Sequence, residues 1–261
     1  MPLLVTPVSN AFAHLSYLAW CAETGEAAAI DPYHVELTLE TARAHDLRIT
    51  AIVNTHEHWD HAGRNDAIVR ETGARVLAPK AAMGVIETID TTLNDGDSVT
   101  IGETCSFRVL ATPGHTMTHI ALLGTDAAAG TPYLLCGDTL FGAGVGNCGY
   151  GGHAPTLFDT VERLRAALDP RTRLYPGHDY LARNLAFTLA HEPGNGAAAA
   201  LLEPAGAALH VTTMAEEAGI NLFFRLDSPA VREALRRTGA IGPDADRRDL
   251  FLALRQARDA W

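Results

Sequence analysis

The sequence predicts an α/β fold with two packed β-sheets, helices on their outer faces, and a helical segment after them. Three observations predict it. Residues 27–79 alternate apolar strand candidates with amphipathic helix candidates, the β-α-β-α-β order of a sheet covered by helices. From about residue 97, short apolar runs follow one another across Gly, Thr and Pro, mostly without helices between them. After His178 the pattern turns helical.

The elements follow in order. "AAAID" (27–31) is a short apolar strand ending at an acid. "VELTLETARAHDL" (35–47) puts Val35, Leu39 and Ala42 on one helical face. "ITAIVNT" (49–55) is β-branched and apolar, a buried strand. A helix over about 64–72 ends at Gly73, and "ARVLAP" (74–79) is the next strand. "SVTI", "SFRVLAT", "HIALLG" and "YLLCGD" are meander strands. "TLFDTVERLRAAL" (156–168) is an amphipathic helix with Leu157, Val161, Leu164 and Leu168 in register, and "TRLYPGH" is a last strand and turn. Beyond it, Leu181, Leu185 and Leu189 repeat at i+4. Residues 192–206 read as a connector. "TMAEE" carries a capping box, Thr213 with Glu216, and two further helices fill 229–238 and 244–258. The change of texture predicts two domains, 1–178 and 179–261.

Bulk properties narrow the function. A chain of 261 residues, 47% hydrophobic and 20% charged, can bury a substantial core. A net charge of −11, with Lys80 the only lysine, argues against general nucleic-acid binding, which uses a basic face. Cys21, Cys105, Cys136 and Cys148 lack metal-ribbon spacing and read as reduced, mostly structural thiols. The N-terminus lacks a basic region ahead of a continuous apolar run, and no apolar run approaches the roughly 20 residues of a membrane helix. The expected compartment is the cytoplasm, with no membrane and no nucleic-acid partner.

Chemistry concentrates in four loops, each after a strand and each holding His or Asp beside small turn residues: "THEHWDHAG" (55–63), "TPGHT" (112–116), "CGDT" (136–139) and "YPGH" (175–178). They offer seven donors: His56, His58, Asp60, His61, His115, Asp138 and His178. Imidazole nitrogen and carboxylate oxygen suit zinc, iron or manganese. Seven donors are too many for one four-coordinate ion; they suit two ions with three ligands each and one shared carboxylate. A lone His after Gly is ordinarily a cap or a solvated residue. The HxHxDH cluster is different, because burying three imidazoles and a carboxylate with no counter-ion costs several kcal/mol. Asp31 either accepts a hydrogen bond from a ligand His or closes a turn. The remaining histidines, His14 and His119 among them, read as structural or solvated. Trp59 is expected to pack under its loop.

The series HxHxDH, PGH, GDT, PGH resembles the metallo-β-lactamase superfamily. Within it the chain is similar to glyoxalase II, the hydroxyacylglutathione hydrolases. That family's "THHHWDHAGGN" stands here as "THEHWDHAGRN", "GDTLF" is intact at 137–141, "GHxYxxxNLxF…EPGN" runs from Gly177 to Asn195, and the C-terminal "RxxKDxF"-like run reads "RQARDAW". The resemblance spans nearly the whole chain. It implies a four-layer αβ/βα sandwich as catalytic domain (1–178), a helical substrate-binding domain (179–261), and two divalent metal ions, zinc foremost, with iron or manganese also accepted. It places His56, His58 and His115 on one metal and Asp60, His61 and His178 on the other, with Asp138 bridging. It implies a hydroxide bridging the metals that attacks a thioester such as S-D-lactoylglutathione, with Asp60 and Asp138 orienting it. Glutathione contacts fall to Tyr180, Arg255 and Arg258. One departure stands out. Asn147 occupies the place of a basic residue that helps hold glutathione. Asn cannot pair with a carboxylate, which leaves a different thioester open as substrate.

Rival readings share the scaffold. A persulfide dioxygenase-like enzyme would use one iron with two His and one Asp, but generally lacks the long helical tail. A nuclease conflicts with the acidic charge. A degenerate binding module should have lost ligands, and all seven are present.

Overall fold

The computed structural model describes residues 3–7, 14–126, 129–202 and 209–261. Strands β1 (Leu3–Pro7), β2 (Leu15–Trp20), β3 (Glu26–Ile30), β4 (Arg48–Val53), β5 (Arg75–Pro79) and β6 (Thr91–Leu93) make one sheet in that order. Its first two pairings are antiparallel and the rest parallel. The second sheet uses β7 (Ser98–Ile101), β8 (Cys105–Ala111), β9 (Ile120–Asp126) and β10 (Thr131–Gly137) as an antiparallel meander. A small ribbon of β11 (Leu140–Phe141) and β12 (Gly144–Val145) follows, and then β13 (Arg173–Pro176) pairs parallel with β10.

Alternation along the strands explains the layering. Leu15, Tyr17 and Ala19 of β2 point toward the other sheet, meeting Phe107 and Val109 of β8, Ile120 and Leu122 of β9, and Tyr133 and Leu135 of β10. The opposite faces carry helices. Leu18, Ile52 and Val76 pack under α1 (Val35–Ala44) and α3 (Asn65–Thr72), the latter ending at Gly73 in the left-handed region; the single-turn α2 (Trp59–Ala62) lies between them in the chain. Leu134 and Cys136 pack under α4 (Ala154–Ala167), whose Leu157, Val161 and Leu164 are buried in the expected register. The result is the metallo-β-lactamase four-layer sandwich.

The C-terminal helices are α5 (Leu181–His191), α6 (Gly196–Leu202), α7 (Met214–Ile220), α8 (Pro229–Arg237) and α9 (Arg247–Asp259). The Thr213–Glu216 capping box forms as expected, and Asp246–Asp249 forms a second one on α9. Phe187, Met214, Val231, Leu250, Phe251 and Leu254 join one core with Leu134, Leu157 and Val161, so the change of texture near 178 marks no gap in packing.

Two expectations need correction. Residues 196–202 are the helix α6, where a connector was expected; the Pro-Gly-Asn-Gly turn ahead of it drew the connector reading, but four alanines and two leucines favour a helix, and Asn195 accepts from the Ala198 amide and starts it. The rest of that span, 203–206, lies outside the described residues. The N-terminal run, read only for targeting signals, supplies the edge strand β1 and its neighbour β2.

Candidate active site

The donor loops meet at one edge of the sandwich, at the C-terminal ends of β3, β4, β8, β10 and β13. All seven predicted donors come together there. His58 Nδ1 lies 3.0 Å from His56 Nε2 and 3.1 Å from His115 Nε2. A tetrahedral ion with metal–nitrogen bonds of about 2.0–2.1 Å would set such ligands about 3.3 Å apart. His178 Nε2 lies 3.3 Å from Asp60 Oδ2, and His61 Nε2 lies 3.9 Å from the same oxygen. Asp138 sits between the two groups: Oδ1 faces His61 Nε2 at 3.4 Å, while Oδ2 faces His178 Nε2 at 3.4 Å and His115 Nε2 at 3.5 Å.

Hydrogen bonds behind the rings fix which nitrogen faces inward. His61 Nδ1 donates to Asp31 Oδ2 at 3.0 Å, which turns its Nε2 toward Asp138. His115 Nδ1 donates to the Asn147 carbonyl at 2.7 Å, and His58 Nε2 to the Tyr150 carbonyl at 2.9 Å. Thr55 Oγ1 donates to Asp31 and accepts from His56 Nδ1. Asp31 therefore does what one of its two readings proposed, accepting from a site histidine. It also takes the Thr55 amide at 2.8 Å, and it holds a left-handed backbone, φ 47°, to do so.

The electrostatics are set by the carboxylates. Burial opposes protonation of His61 and His178, but Asp138 with Asp31 pushes His61 up to about 10, and Asp138 with Asp60 pushes His178 up to about 11. Burial likewise opposes ionisation of Asp138 and Asp60; the same histidines outweigh it, taking Asp60 down to about 2 and Asp138 well below the usual carboxylate range. His56 and His115 are lowered, first by burial and then by neighbouring groups. Negative charge thus concentrates on Asp138 and Asp60, which hold His61 and His178 protonated, while His56 and His115 are neutral.

The site fits divalent cations by two observations. Among the described residues, His61 Nε2 and Asp138 Oδ1 are buried without any hydrogen-bond partner, a state that native interiors avoid. Gly177 clears the space: a Cβ there would stand 2.3 Å from Asp138 Oδ1 and 2.7 Å from His61 Cε1. Three overlapping donor groups, His56–His58–His115, His56–His61–Asp138 and His14–Asp60–His61–His178, each gather within 4.8 Å.

His14 was not anticipated here. It is buried, with its ring 4.8 Å from that of His61 and 5.2 Å from that of His178. Burial, and then His61 and His178, hold it down to about 4, so it is neutral. No nearby donor in the sequence signals it. His119 is structural as expected, accepting from the Asp138 amide at 3.0 Å. Trp59 contradicts its expectation: it is 58% exposed, with Arg64 over its ring, 4.8 Å from the centroid.

A cavity of about 340 Å³ opens onto these donors, its lining including Asp60, Phe141, Asn147, Tyr150 and Tyr180. Residues 15–178 match the family model for the metallo-beta-lactamase superfamily, and residues 179–261 match that for the hydroxyacylglutathione hydrolase C-terminus. A hydroxyacylglutathione hydrolase of Nitrosococcus oceani is 45% identical over 97% of both chains. The chain belongs to the hydroxyacylglutathione hydrolase family. A member from Arabidopsis thaliana, named as the cytoplasmic form, is 32% identical over 94% of both chains. The solved structure of ETHE1 from Myxococcus xanthus shares the architecture, with a TM-score of 0.68 and 25% identity over 100% of this chain and 99% of that one. Among the described residues no helix is long and apolar enough to cross a membrane.

The predicted substrate contacts separate into two kinds. Tyr180 lines the cavity, stacked on His178 at 5.1 Å and edge-on to Phe141. Asn147 lines it too, its Oδ1 accepting from the Gly149 amide. Arg255 instead is 5% exposed and turned inward. Its Nη1 donates to the Val145 and Gly146 carbonyls at 2.8 and 3.0 Å, and its Nη2 to Asp259. Arg258 is half-buried, with Nε and Nη2 on Asn184 Oδ1. Asn184 and Asn221 donate to the Gly142 and Gly144 carbonyls, and Glu217 accepts from the Ala143 amide. The C-terminal helices thus grip the segment 142–146, between Asp138 and Asn147. A spacing of three puts both arginines on one helical face, but does not show that a loop 110 residues earlier lies against it.

Proposed function

We propose that the chain hydrolyses acylglutathione thioesters, S-D-lactoylglutathione foremost, to glutathione and the hydroxy acid. The convergence of seven donors on a pocket holding an unpaired imidazole nitrogen and an unpaired carboxylate oxygen carries this reading, together with membership of the family. His56, His58 and His115 would hold one divalent cation and Asp60, His61 and His178 the other, with Asp138 shared; zinc suits the donor set best. Such cations, when bound, lower the pKa of water toward 7 and polarise a carbonyl.

The chain's own residues supply the rest. Asp31 holds His61 in one tautomer and orientation, and the Asn147 and Tyr150 carbonyls do the same for His115 and His58. Asp60 and Asp138 orient the reacting water and hold the local charge balance. Tyr180, its phenol pKa raised by burial, stays protonated at neutral pH and donates to the substrate. The leaving thiolate has an intrinsic pKa near that of cysteine, about 8.5, so no general acid is required. The cavity is of the size that takes a small ligand, ~300–1,000 Å³. Residues 1–178 would act as the catalytic domain and 179–261 as the substrate-binding one, in the cytoplasm.

A thioester screen tests the proposal, with S-D-lactoylglutathione set against other acyl-thiols and metal content measured on the same sample. Preference for the acylglutathione with close to two metals per chain is the expected result. Oxygen consumption on glutathione persulfide with one iron per chain would replace it with the dioxygenase reading.

A further inference from the structure

The turn that holds His56, His58, Asp60 and His61 carries Glu57 between its first two donors, where the family motif THHHWDH has a histidine. In an extended segment alternate residues face opposite ways, so Glu57 faces away from the side that His56 and His58 share. It lines a second cavity, of about 300 Å³, with Trp59, Asn65 and Thr88, and not the one that opens onto the donors. Glu57 is half-buried, and its Oε2 accepts from two hydroxyls, Thr116 at 3.0 Å and Thr118. These threonines lie 59 and 61 residues further along, in the turn that holds His115. Thr116 is fully buried and follows His115 directly. Below this link a backbone bond also joins the two turns, the Ile120 amide donating to the Thr55 carbonyl at 2.9 Å.

The inner nitrogens of His56, His58 and His115 carry lone pairs, because the outer ones donate to Thr55, Tyr150 and Asn147. Gaps of 3.0 and 3.1 Å separate those inner nitrogens. Lone pairs so placed repel one another until a cation joins them, and the repulsion pushes the His115 turn away from the HxHxDH turn. Hydroxyl-to-carboxylate bonds are charge-assisted and about twice as strong as neutral ones, so Glu57 opposes that push. A neutral imidazole at this position has a single acceptor nitrogen and could take only one of the two hydroxyls. Asp60, His61 and His178 take their support elsewhere, from Asp31 through His61.

We propose that Glu57 is a positioning residue: it ties the Thr116–Thr118 turn to the HxHxDH turn and so presets His56, His58 and His115 for one cation of the pair. This rests on the metal-dependent thioesterase reading above.

The test compares the parent with Glu57→Ala, Glu57→Gln, Thr116→Val and the double variant Glu57→Ala with Thr116→Val. Zinc affinity is measured by chelator competition, and zinc per chain by elemental analysis. In Glu57→Ala one of two zinc ions is held about tenfold to a hundredfold more weakly, the range for residues that support metal ligands, while the other stays within about twofold. Glu57→Gln, which keeps an acceptor oxygen, loses less. The double variant is no weaker than Glu57→Ala, because both changes remove the same link. Loaded with cobalt, the weakened site shows three paramagnetically shifted imidazole N–H signals, for His56, His58 and His115, where the other shows two. At limiting zinc, kcat on S-D-lactoylglutathione falls and KM does not, since Glu57 lies off the substrate cavity. Equal weakening of both ions, weakening of neither, or an additive double variant overturns the positioning role and leaves the hydrolase reading in place. Zinc affinity that depends on Glu57, in a parent that does not hydrolyse the thioester, upholds the role and overturns the hydrolase reading. A parent that binds no zinc overturns both.

Discussion

Replacing Arg255 by Ala separates two roles that sequence reasoning could not distinguish. If the side chain holds the 142–146 segment, the change removes two charge-assisted hydrogen bonds to the Val145 and Gly146 carbonyls and a contact over the Phe223 ring. Hydrogen bonds to charged groups contribute about 1.5–3 kcal/mol each, so the loss is about 3–6 kcal/mol. The ion pair to Asp259, half-exposed, adds little. An unfolding entropy near 2.1 cal/mol/K per residue turns that loss into a Tm drop of about 5–11 °C for a chain of this length. Scanning calorimetry measures it. The same variant should lose kcat, because the loosened segment carries the Asn147 carbonyl that orients His115. A Tm within about 1 °C of the parent, with a rise in KM alone, would refute this reasoning and return Arg255 to direct contact with substrate.

Gly177→Ala should keep the fold but not the metals, since the added methyl would overlap Asp138 Oδ1. Metal analysis of the folded variant should find fewer than the parent's content, and an unchanged content would show that the space is not needed. Glu192 gives a pH signature. Burial opposes its ionisation, but Arg225, Ser228 and Asn195 outweigh that and hold its carboxyl below the usual range. A depressed carboxylate contributes stability above the ordinary glutamate pKa of about 4.3, and that stability is lost as pH falls through its folded value. Glu192→Gln should therefore have a lower Tm than the parent at pH 7, and the gap should close on acidification below about pH 4; a gap independent of pH would contradict the assignment.

The donor set was legible because each ligand sits where a β-branched or apolar strand meets a tight turn, and strand ends of one sandwich edge necessarily lie near one another. His14 was not legible, since it reaches the site through the pairing of β2 with β3 and through its own antiparallel bridge to His178, and a lone His before "LSY" carries no local signal of either. Trp59 was misread by equating a large apolar ring with burial; its place in a single helical turn lets the ring lie over the surface, against Arg64 and Tyr33. Arg255 shows the same limit from the other side. Helical spacing states which residues share a face, whereas the partner of that face depends on tertiary packing.

The shared grip on residues 142–146 bears on how such enzymes diverge. A tail grafted from a relative would bring its own Asn, Glu and Arg to a wall shaped for other partners. Recombination between relatives should therefore succeed when crossovers keep this wall and the last five helices together, and should yield inactive chimaeras when a crossover falls at residue 178.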